Sequence, residues 1–395
     1  MRSIALVLGT RPEAIKCAPV VHALRADPRF DLTLISTGQH REMLYEALSI
    51  FDLEPDIDLE VMRAKQTPTQ VTYRSLEGLS HHVDPGRTDA VLVYGDTASS
   101  FAGALFGVQN RIPVVHLEAG LRSGNLHSPF PEEANRRMIG QIASLHLAAT
   151  PGNGENLVRE GIDPDSVRIT GNPIVDALRW IGEHGHSYGN PALDDLDTDP
   201  RRVVLASAHR RESWGELAEI AQALADIAAD PGVRVVVPMH PNPVVRDAML
   251  PKIGGHPNIT VVDSLPYPGY CRLMRRSDLI VSDSNGAEEE GPSLGKKTLV
   301  LREVTERHEG IEAGLAQLVD RSADAIAGTA SALLREPLGP RATDLAISPY
   351  GDGRASERIA AALAHYFGDG PPIVPFTPTR QSAPGRGGNH VGAAP

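Results

Sequence analysis

The feature that most constrains this chain is a repeated alternation between short, continuously apolar runs and helix-forming segments. In the first half of the chain, these runs predict strands at residues 4–8, 32–36, 90–94 and 114–117. Strands that are apolar at every position are typical of a parallel sheet that is buried on both faces. Three of the strands are followed by predicted helices that would cover such a sheet, at about 12–26, 41–51 and 98–108.

The same alternation begins again after residue 200, which predicts an α/β chain of two doubly wound, Rossmann-like domains that face one cleft. The second series of predicted strands lies at 203–207, 233–237, 259–262, 279–282 and 298–301. The segment between the two series is polar and rich in turn formers, which indicates a linker, and the last segment is rich in Gly and Pro, which indicates disorder. We therefore predict domains at 1–184 and 201–348, a linker at 185–200, a helical segment at 349–367 and a disordered tail at 368–395.

Charge and cysteine content exclude several classes of partner. The 50 acidic residues outnumber the 38 basic ones, which gives a formal net charge of −12. This balance argues against nucleic acid or an anionic membrane surface as the main partner. Cys17 and Cys271 suggest neither a disulfide framework nor a metal site, and the N-terminus enters a strand without a long apolar segment. These features predict a cytoplasmic location.

The stretch at 283–310 predicts a nucleotide diphosphate site. It follows an apolar strand with a turn of small residues and then a helix that starts near Ala287. Free backbone N–H groups at such a turn, together with the positive end of the helix, favour phosphate. Glu290 would then accept a hydrogen bond from a sugar hydroxyl, most simply of a ribose, and Arg307 would close on the phosphates. The alternative is an acidic first turn that only caps its helix, and this stretch alone leaves both interpretations open.

Further charged side chains follow other predicted strands, at the sheet edge where such folds bind ligands. Each of them taken singly is more simply explained as a helix cap or a surface charge than as a functional group. Their common position indicates a shared cleft that holds both cations and carboxylates. The candidates are Arg11, Lys16, Asp96, Glu118, Glu132, His209, Arg210 and His240.

Several common catalytic motifs are missing from the sequence. No Gly-x-Gly-x-x-Gly follows the first strand, which argues against a nicotinamide dehydrogenase, and there is no P-loop motif. A nucleophile elbow and metal-ligand spacing of Cys or His are missing as well. Acid–base chemistry by carboxylates on a nucleotide-bearing ligand remains.

Nine motifs distributed over both predicted domains strongly resemble the UDP-N-acetylglucosamine 2-epimerase family, non-hydrolysing bacterial type. The resemblance covers roughly residues 1–367 and implies a GT-B-like architecture whose last helix crosses back to the first domain. It implies no metal and no cofactor. The motifs are GTRPEAIK (9–16), GQHREML (38–44), HLEAGLRS (116–123), SPFPEEANRR (128–137), HRRE (209–212), HPNP (240–243), EEGPSLGK (289–296), TERHEG (305–310) and PYGDGRAS (349–356).

The resemblance implies reversible conversion of UDP-N-acetylglucosamine to UDP-N-acetylmannosamine, by elimination and re-addition of UDP through a 2-acetamidoglucal. The positions that match the family's catalytic residues are Asp96, Glu118, Glu132 and His209. Those that match substrate-binding positions are Arg11, Lys16, Ser284, Asn285, Gly286, Glu290 and Arg307, and Tyr270 can serve beside the uracil. The chain departs from the family at three positions, with Asn285 in place of Gly, Glu288 in place of Gln and His308 in place of Pro.

The resemblance also implies a homodimer and a regulatory site for a second UDP-N-acetylglucosamine. Gln39, Arg210 and His240 match positions of that site, and Lys65 stands where some members carry Arg. Four alternatives remain open from the sequence: a hydrolysing epimerase that releases N-acetylmannosamine, an epimerase of a modified UDP-sugar, a GT-B glycosyltransferase and an inactive nucleotide-sugar sensor. The three carboxylates argue against the sensor.

Overall fold

Two parallel sheets organise the computed structural model, which describes residues 1–39, 41–63, 66–337 and 348–378. Within those residues the first sheet has seven strands, in the order 3-2-1-4-5-6-7. They are β1 (Arg2–Leu8), β2 (Phe30–Ser36), β3 (Ile57–Asp58), β4 (Ala90–Tyr94), β5 (Val114–Leu117), β6 (Leu145–Ala148) and β7 (Val167–Ile169). The second sheet has six strands in the order 10-9-8-11-12-13. They are β8 (Arg202–Ser207), β9 (Val233–Met239), β10 (Ile259–Asp263), β11 (Leu279–Ser282), β12 (Lys297–Val300) and β13 (Ala316–Leu318).

Helices join the strands and cover both faces of each sheet. Those of the first half are α1 (Arg11–Ala26), α2 (Arg41–Ser49), α3 (Pro68–His82), α4 (Ala98–Gln109), α5 (Glu132–Ile142), α6 (Pro151–Arg159) and α7 (Pro173–His184). Those of the second half are α8 (Leu217–Ala228), α9 (Pro243–Ile253), α10 (Tyr267–Arg276), α11 (Asn285–Ser293), α12 (His308–Glu312), α13 (Ala323–Arg335) and α14 (Ala355–Tyr366). Short 3-10 turns occur at Pro164–Ser166, Pro191–Leu193 and Arg211–Glu216.

The prediction of two doubly wound parallel sheets is confirmed. All nine predicted strands are present, and four short strands of the fold were not predicted. These are β3, β6, β7 and β13, which have two to four residues each. Such short runs give a weak periodic signal, and their pairing depends on neighbouring strands that are distant in sequence. Within the described residues, no helix is long and apolar enough to cross a membrane.

The strand order reverses once in each sheet, beside β1 and β4 in the first and beside β8 and β11 in the second. Ligands of open α/β sheets bind at the carboxyl ends of the strands where this reversal occurs. Asp96, His209 and Ser284 lie on the loops that leave three of these strands, and Arg11 begins α1, directly after the loop that leaves β1. The topology therefore brings four of the predicted site residues to the two switch points.

The predicted linker lies against the second domain. Tyr188, Leu193 and Leu196 are buried. The buried guanidinium of Arg234, on β9, contacts Asp195 at 2.9 Å and Asp199 at 3.0 Å. The segment between the two sheets is therefore packed against the second domain, which its polar composition did not indicate.

The last helix, α14, packs on the first domain, as predicted. Its N-terminus is capped across the chain by Asp176 of α7, whose carboxylate accepts from the backbone N–H groups of Ala355 at 3.1 Å and Ser356 at 2.8 Å. The guanidinium of Arg2 on β1 lies over the Phe367 ring, 4.9 Å from its centroid. The chain therefore returns to its first domain after completing the second.

The prediction of disorder from residue 368 onward needs correction over 368–378. The Phe376 side chain is buried, and its backbone N–H donates to the carbonyl of Ile169 at 2.9 Å. The carbonyls of Asp369 and Gly370 also contact side chains of the first domain and of α14, namely Arg29 at 3.3 Å and His365 at 3.0 Å, and composition alone does not reveal these contacts. Residues 379–395 lie outside the described residues.

Candidate active site

Lys16 on α1 joins the two domains. Its Nζ lies 2.6 Å from Oε1 of Glu118, which follows β5, and 2.7 Å from Oε2 of Glu289 on α11. The Tyr94 hydroxyl donates to the same oxygen of Glu118 at 3.0 Å. Burial alone would lower the pKa of Lys16, but the charges of the two carboxylates raise it above its usual range. The lysine is therefore a permanent cation between a carboxylate of each domain.

Glu118 has a strained backbone. Its φ of +58° lies in the left-handed region, which side chains other than Gly, Asn and Asp rarely adopt. Residues held in such conformations cost on the order of 1–3 kcal/mol and concentrate at functional sites. In this conformation the Glu118 carboxylate lies beside Lys16 at the carboxyl end of the sheet.

Asp96 and Glu132 lie on the same side of the first domain. Oδ2 of Asp96 accepts from Nε of the buried Arg136 at 2.9 Å, and a second, shorter bond comes from the same guanidinium. Glu132 is the first residue of α5. Burial raises the pKa of Glu132 and the charge of Asp96 adds to the effect, whereas Arg136 and Arg210 oppose it. Because Arg210 belongs to the second domain, charges of both domains act on Glu132.

A carboxylate that the sequence analysis did not select, Glu13, fixes two of the loops at the switch point. Its Oε2 accepts from the backbone N–H of Gly9 at 2.9 Å and of Thr10 at 2.7 Å. Its Oε1 accepts from the hydroxyls of Thr97 and Ser100, both at 2.7 Å. This buried side chain connects the loop directly before Arg11 to the loop that carries Asp96 and to the first turn of α4.

The predicted phosphate turn forms the start of α11. The helix begins at Asn285, two residues before the predicted start near Ala287 (287 − 285), with Ser284 as its N-cap. The first N–H groups of a helix have no partner within it and can bind an anion. Oδ1 of Asn285 accepts from the Arg302 guanidinium at 2.7 Å, so this side chain is turned towards the loop after β12.

Arg307 lies buried between two carboxylates. Its Nε donates to Oε1 of Glu289 at 2.6 Å, and its Nη1 lies 2.9 Å from Oε1 of Glu306. Burial alone would raise the pKa of Glu289, but Arg307 and Lys16 hold it below its usual range. Glu289 thus links the lysine of the first domain to the arginine predicted to bind diphosphate.

Glu290, the predicted ribose ligand, is a buried carboxyl group on α11. Its Oε1 accepts from the Tyr267 hydroxyl at 3.1 Å. Burial raises its pKa to about 7, against the lowering effects of Tyr267 and of the Arg11 charge. Arg11 itself is half-buried. The Tyr270 hydroxyl lies 3.4 Å from Oγ of Ser207, at the end of β8.

We expect Glu290→Gln to change how stability depends on pH. The native pKa of Glu290 lies above its unfolded value, so the carboxyl group stabilises the fold below about pH 4.5 and loses this contribution as the pH rises through about 7. Glutamine keeps the acceptor for Tyr267 but does not titrate. The difference in unfolding free energy between about pH 5 and about pH 8 should therefore shrink by on the order of 1–3 kcal/mol in this variant.

Urea unfolding of wild type and variant at the two pH values measures this change. Glu160→Gln is a matched control, because Arg122 lowers the pKa of Glu160 and its contribution to stability therefore changes mainly below this pH range, so the control should leave the difference nearly unchanged. An unchanged pH dependence in Glu290→Gln would contradict the prediction.

His209 follows β8 and stacks on His240. The two rings lie 5.4 Å apart between centroids, with an angle of 6° between their planes. Burial lowers the pKa of His209, and the charges of His240 and Arg210 act in the same direction. The His209 imidazole is therefore neutral in the absence of substrate, and the His240 ring covers one of its faces.

The predicted regulatory residues divide between the domains. Gln39 lies in the first domain and accepts from the Ser99 hydroxyl at 2.8 Å. Arg210 and His240 lie in the second, on the loops after β8 and β9. Among the described residues, no hydrogen bond joins Gln39 to either of them, and Lys65 lies outside the described residues.

Comparison with known proteins identifies the family. The family model of UDP-N-acetylglucosamine 2-epimerases matches residues 22–364. The UDP-N-acetylglucosamine 2-epimerase of Escherichia coli K12 is 42% identical over 367 residues, which are 91% of this chain and 98% of that protein. This chain belongs to the UDP-N-acetylglucosamine 2-epimerase family.

Solved structures of the family share the fold over nearly the whole chain. The S. aureus MnaA–UDP co-structure has a TM-score of 0.85 at 36% identity, with coverage of 95% of this chain and 100% of that one. The epimerase of Neisseria meningitidis bound to UDP-GlcNAc has a TM-score of 0.81 at 36% identity, with coverage of 92% and 100%. The GT-B-like architecture predicted from the resemblance is confirmed.

Five residues around the candidate site were missed by reasoning from sequence. Glu289 stood beside the selected Glu290, and nothing in a run of three glutamates tells which one faces a lysine of another domain. The others hold ligand loops or carboxylates in place, and their partners become visible only in three dimensions. The five are Glu13, Arg136, Tyr267, Asp283 and Glu289.

Proposed function

We propose that this member of the family interconverts UDP-N-acetylglucosamine and UDP-N-acetylmannosamine without hydrolysis, by eliminating UDP and adding it back through a 2-acetamidoglucal. One observation carries the proposal. Lys16 contacts Glu118 of the first domain and Glu289 of the second, so the candidate base and the cations for a diphosphate share one cleft. The S. aureus structure with UDP and the N. meningitidis structure with UDP-GlcNAc support this choice of ligand.

The chemistry explains why both kinds of group are required. The hydrogen at C2 of an N-acetyl sugar is barely acidic, so its removal must be coupled to breaking the C1–O bond. A carboxylate takes the proton, the C–H electron pair forms the C1–C2 double bond, and UDP leaves with the electron pair of the C1–O bond. A proton delivered to the other face of C2 and renewed attack by UDP on C1 complete the inversion.

The proposed roles follow from position. Asp96, Glu118 and Glu132 supply the general base and the general acid for the two faces of the ring. His209, which belongs to the second domain, exchanges protons with the sugar nucleotide. The raised pKa of Glu132 suits a group that donates a proton as well as accepting one.

Three cations of the cleft stabilise the leaving group. Arg11, Lys16 and Arg307 hold the diphosphate together with the first turn of α11, where Ser284, Asn285 and Gly286 offer backbone N–H groups. Glu290 binds the ribose and Tyr270 packs beside the uracil.

Incubation with UDP-N-acetylglucosamine in deuterated water, followed by NMR, tests the proposal. We expect deuterium at C2 of UDP-N-acetylmannosamine and of the recovered substrate, because each passage through the glucal exchanges the proton. Accumulation of free N-acetylmannosamine with UDP would favour a hydrolysing epimerase. Retained protium at C2 of the recovered substrate, with no UDP-N-acetylmannosamine formed, would contradict epimerisation altogether.

We further propose that a second UDP-N-acetylglucosamine binds between Gln39 of the first domain and the Arg210–His240 pair of the second, and that Lys65 assists. A ligand that bridges both domains favours the closed form by its differential affinity for it. The homodimer implied by the resemblance stays a prediction, which sedimentation equilibrium would test.

Gln39→Ala should remove this activation. The wild-type rate should depend sigmoidally on UDP-N-acetylglucosamine, and UDP-N-acetylmannosamine alone should react slowly, because closure needs the activator. The variant curve should flatten towards a hyperbola, and small-angle scattering should show less compaction by substrate. Gln222→Ala, on the outer surface of the second domain, is the control. A wild-type curve that is already hyperbolic would remove the regulatory site.

A further inference from the structure

Asp283 is a buried carboxylate that neither the resemblance nor the proposed mechanism uses. It follows β11 directly and stands immediately before the turn at Ser284. Its side chain is completely buried, with 0% exposure. Burying a carboxylate costs free energy unless its oxygens accept hydrogen bonds, so the partner of each oxygen has to be identified.

One oxygen holds the loop after β8. Oδ2 of Asp283 accepts from the backbone N–H groups of His209 and of Arg210, both at 2.9 Å. From the other side, the indole N–H of Trp214 donates to the His209 carbonyl at 3.3 Å. Asp283 therefore binds the backbone N–H of His209, and Trp214 binds its carbonyl group.

The other oxygen points at the imidazole. Oδ1 of Asp283 makes no hydrogen bond within the described residues, and it lies 3.6 Å from Nδ1 of His209. An unpaired buried oxygen is rare, and it is accounted for here if the ring brings an N–H to it during the reaction. The stacked ring of His240 limits the rotation of the imidazole.

We propose that Asp283 is a positioning residue that holds His209 in the Nδ1–H tautomer, so that Nε2 faces the sugar nucleotide and exchanges protons with it. The inference rests on the catalytic role proposed above for His209. When Nε2 takes up a proton, the imidazolium is stabilised by the Asp283 carboxylate, which offsets the burial and the positive charge of Arg210. Because Asp283 also directly precedes the turn at Ser284, it fixes the position of both His209 and the proposed phosphate turn.

The charges around His209 set the direction of the pH effect. Burial, His240 and Arg210 lower the pKa of His209, and Asp283 is the group that raises it. In Asp283→Asn the amide oxygen can still accept from the two backbone N–H groups. Its NH₂ group then faces Nδ1 and favours the opposite tautomer, and the negative charge is lost.

A double-mutant cycle with His209→Gln tests the inference. Asp283→Asn should lower kcat by at least about tenfold, and by less than the about 10²–10⁴-fold that loss of acid–base catalysis costs, with little change in KM. In the His209→Gln background, the same change should have no further effect, because Asp283 acts through the imidazole. Calorimetry with UDP checks that each variant keeps its nucleotide site.

Nitrogen-15 NMR of the histidine side chains gives a second readout that does not depend on activity, and its wild-type part needs no variant. In the wild type, the His209 signals should show the Nδ1–H tautomer, and in Asp283→Asn the pKa of His209 should fall. An Nε2–H tautomer in the wild type, or an equal loss of kcat from Asp283→Asn in both backgrounds, would overturn the inference. Full turnover by His209→Gln would show that His209 is not catalytic, and the inference would then fail as well. The deuterium experiment tests epimerisation independently of His209.

Discussion

Glu118→Gln is expected to lose about 10²–10⁴-fold in kcat while the protein stays folded. The amide keeps the size of the side chain and its acceptor for Tyr94, but it cannot take a proton from C2. It also leaves Lys16 paired with Glu289 alone, so the buried cation retains one of its two carboxylates. Deuterium exchange at C2 should fall together with inversion, because both depend on the same proton transfer.

Asp96→Asn is expected to lower kcat by a similar factor, because Asp96 is proposed to take part in the same proton transfers. It follows β4, the strand beside β5, which carries Glu118 at its end. The control for both variants is Glu160→Gln, which removes a carboxylate that pairs with Arg122 at 2.7 Å away from the cleft. Circular dichroism and UDP affinity establish that each variant is folded. Near-normal turnover by both folded cleft variants would show that the catalytic assignment is wrong.

The sequence was sufficient to predict that several candidate residues follow strands at one edge of the sheets, because one topological rule determines it. In a parallel sheet every strand ends at the same edge, so a polar residue that follows a buried apolar run belongs to that edge whatever the strand order. Asp96, Glu118, His209 and Ser284 were placed in this way, and the structure has all four after strands.

What the sequence could not predict is how these groups pair. Glu289 contacts Lys16 only because one domain faces the other at a particular angle, and 273 residues (289 − 16) separate them. The role of Glu13 depends on two hydroxyls at the start of α4 that lie more than 80 residues further along the chain. Such contacts follow from the assembled fold, and no local spacing encodes them.

Errors at the ends of elements have local causes. The helix start at Asn285 was placed too late because the small residues before Ala287 suggested a turn, although they also form the first turn of α11. Burial of Phe376 was missed because a single aromatic in a Gly/Pro-rich segment carries no periodic signal. In both cases tertiary contacts decided between conformations that the local sequence allows.

Arg307→Ala should weaken the binding of UDP by about 10- to 100-fold and that of uridine only slightly. A hydrogen bond from a charged group contributes about 1.5–3 kcal/mol, and tenfold in affinity corresponds to about 1.4 kcal/mol. The arginine is also the shared partner of Glu289 and Glu306. Its removal leaves these carboxylates less neutralised beside the site proposed for the diphosphate, and uridine has no phosphate for them to repel.

Glu290→Ala should weaken both ligands, since uridine and UDP share the ribose that Glu290 is proposed to bind. Titration calorimetry with UDP and uridine on the two variants tests both assignments. Arg307→Ala should lose affinity mainly for UDP, whereas Glu290→Ala should lose affinity for both ligands. Arg321→Ala is a suitable control, because it removes an arginine that pairs with the exposed Glu303 in the same domain. Equal losses for UDP and uridine in Arg307→Ala would contradict its assignment to the diphosphate, whereas a loss confined to UDP in Glu290→Ala would contradict the ribose assignment.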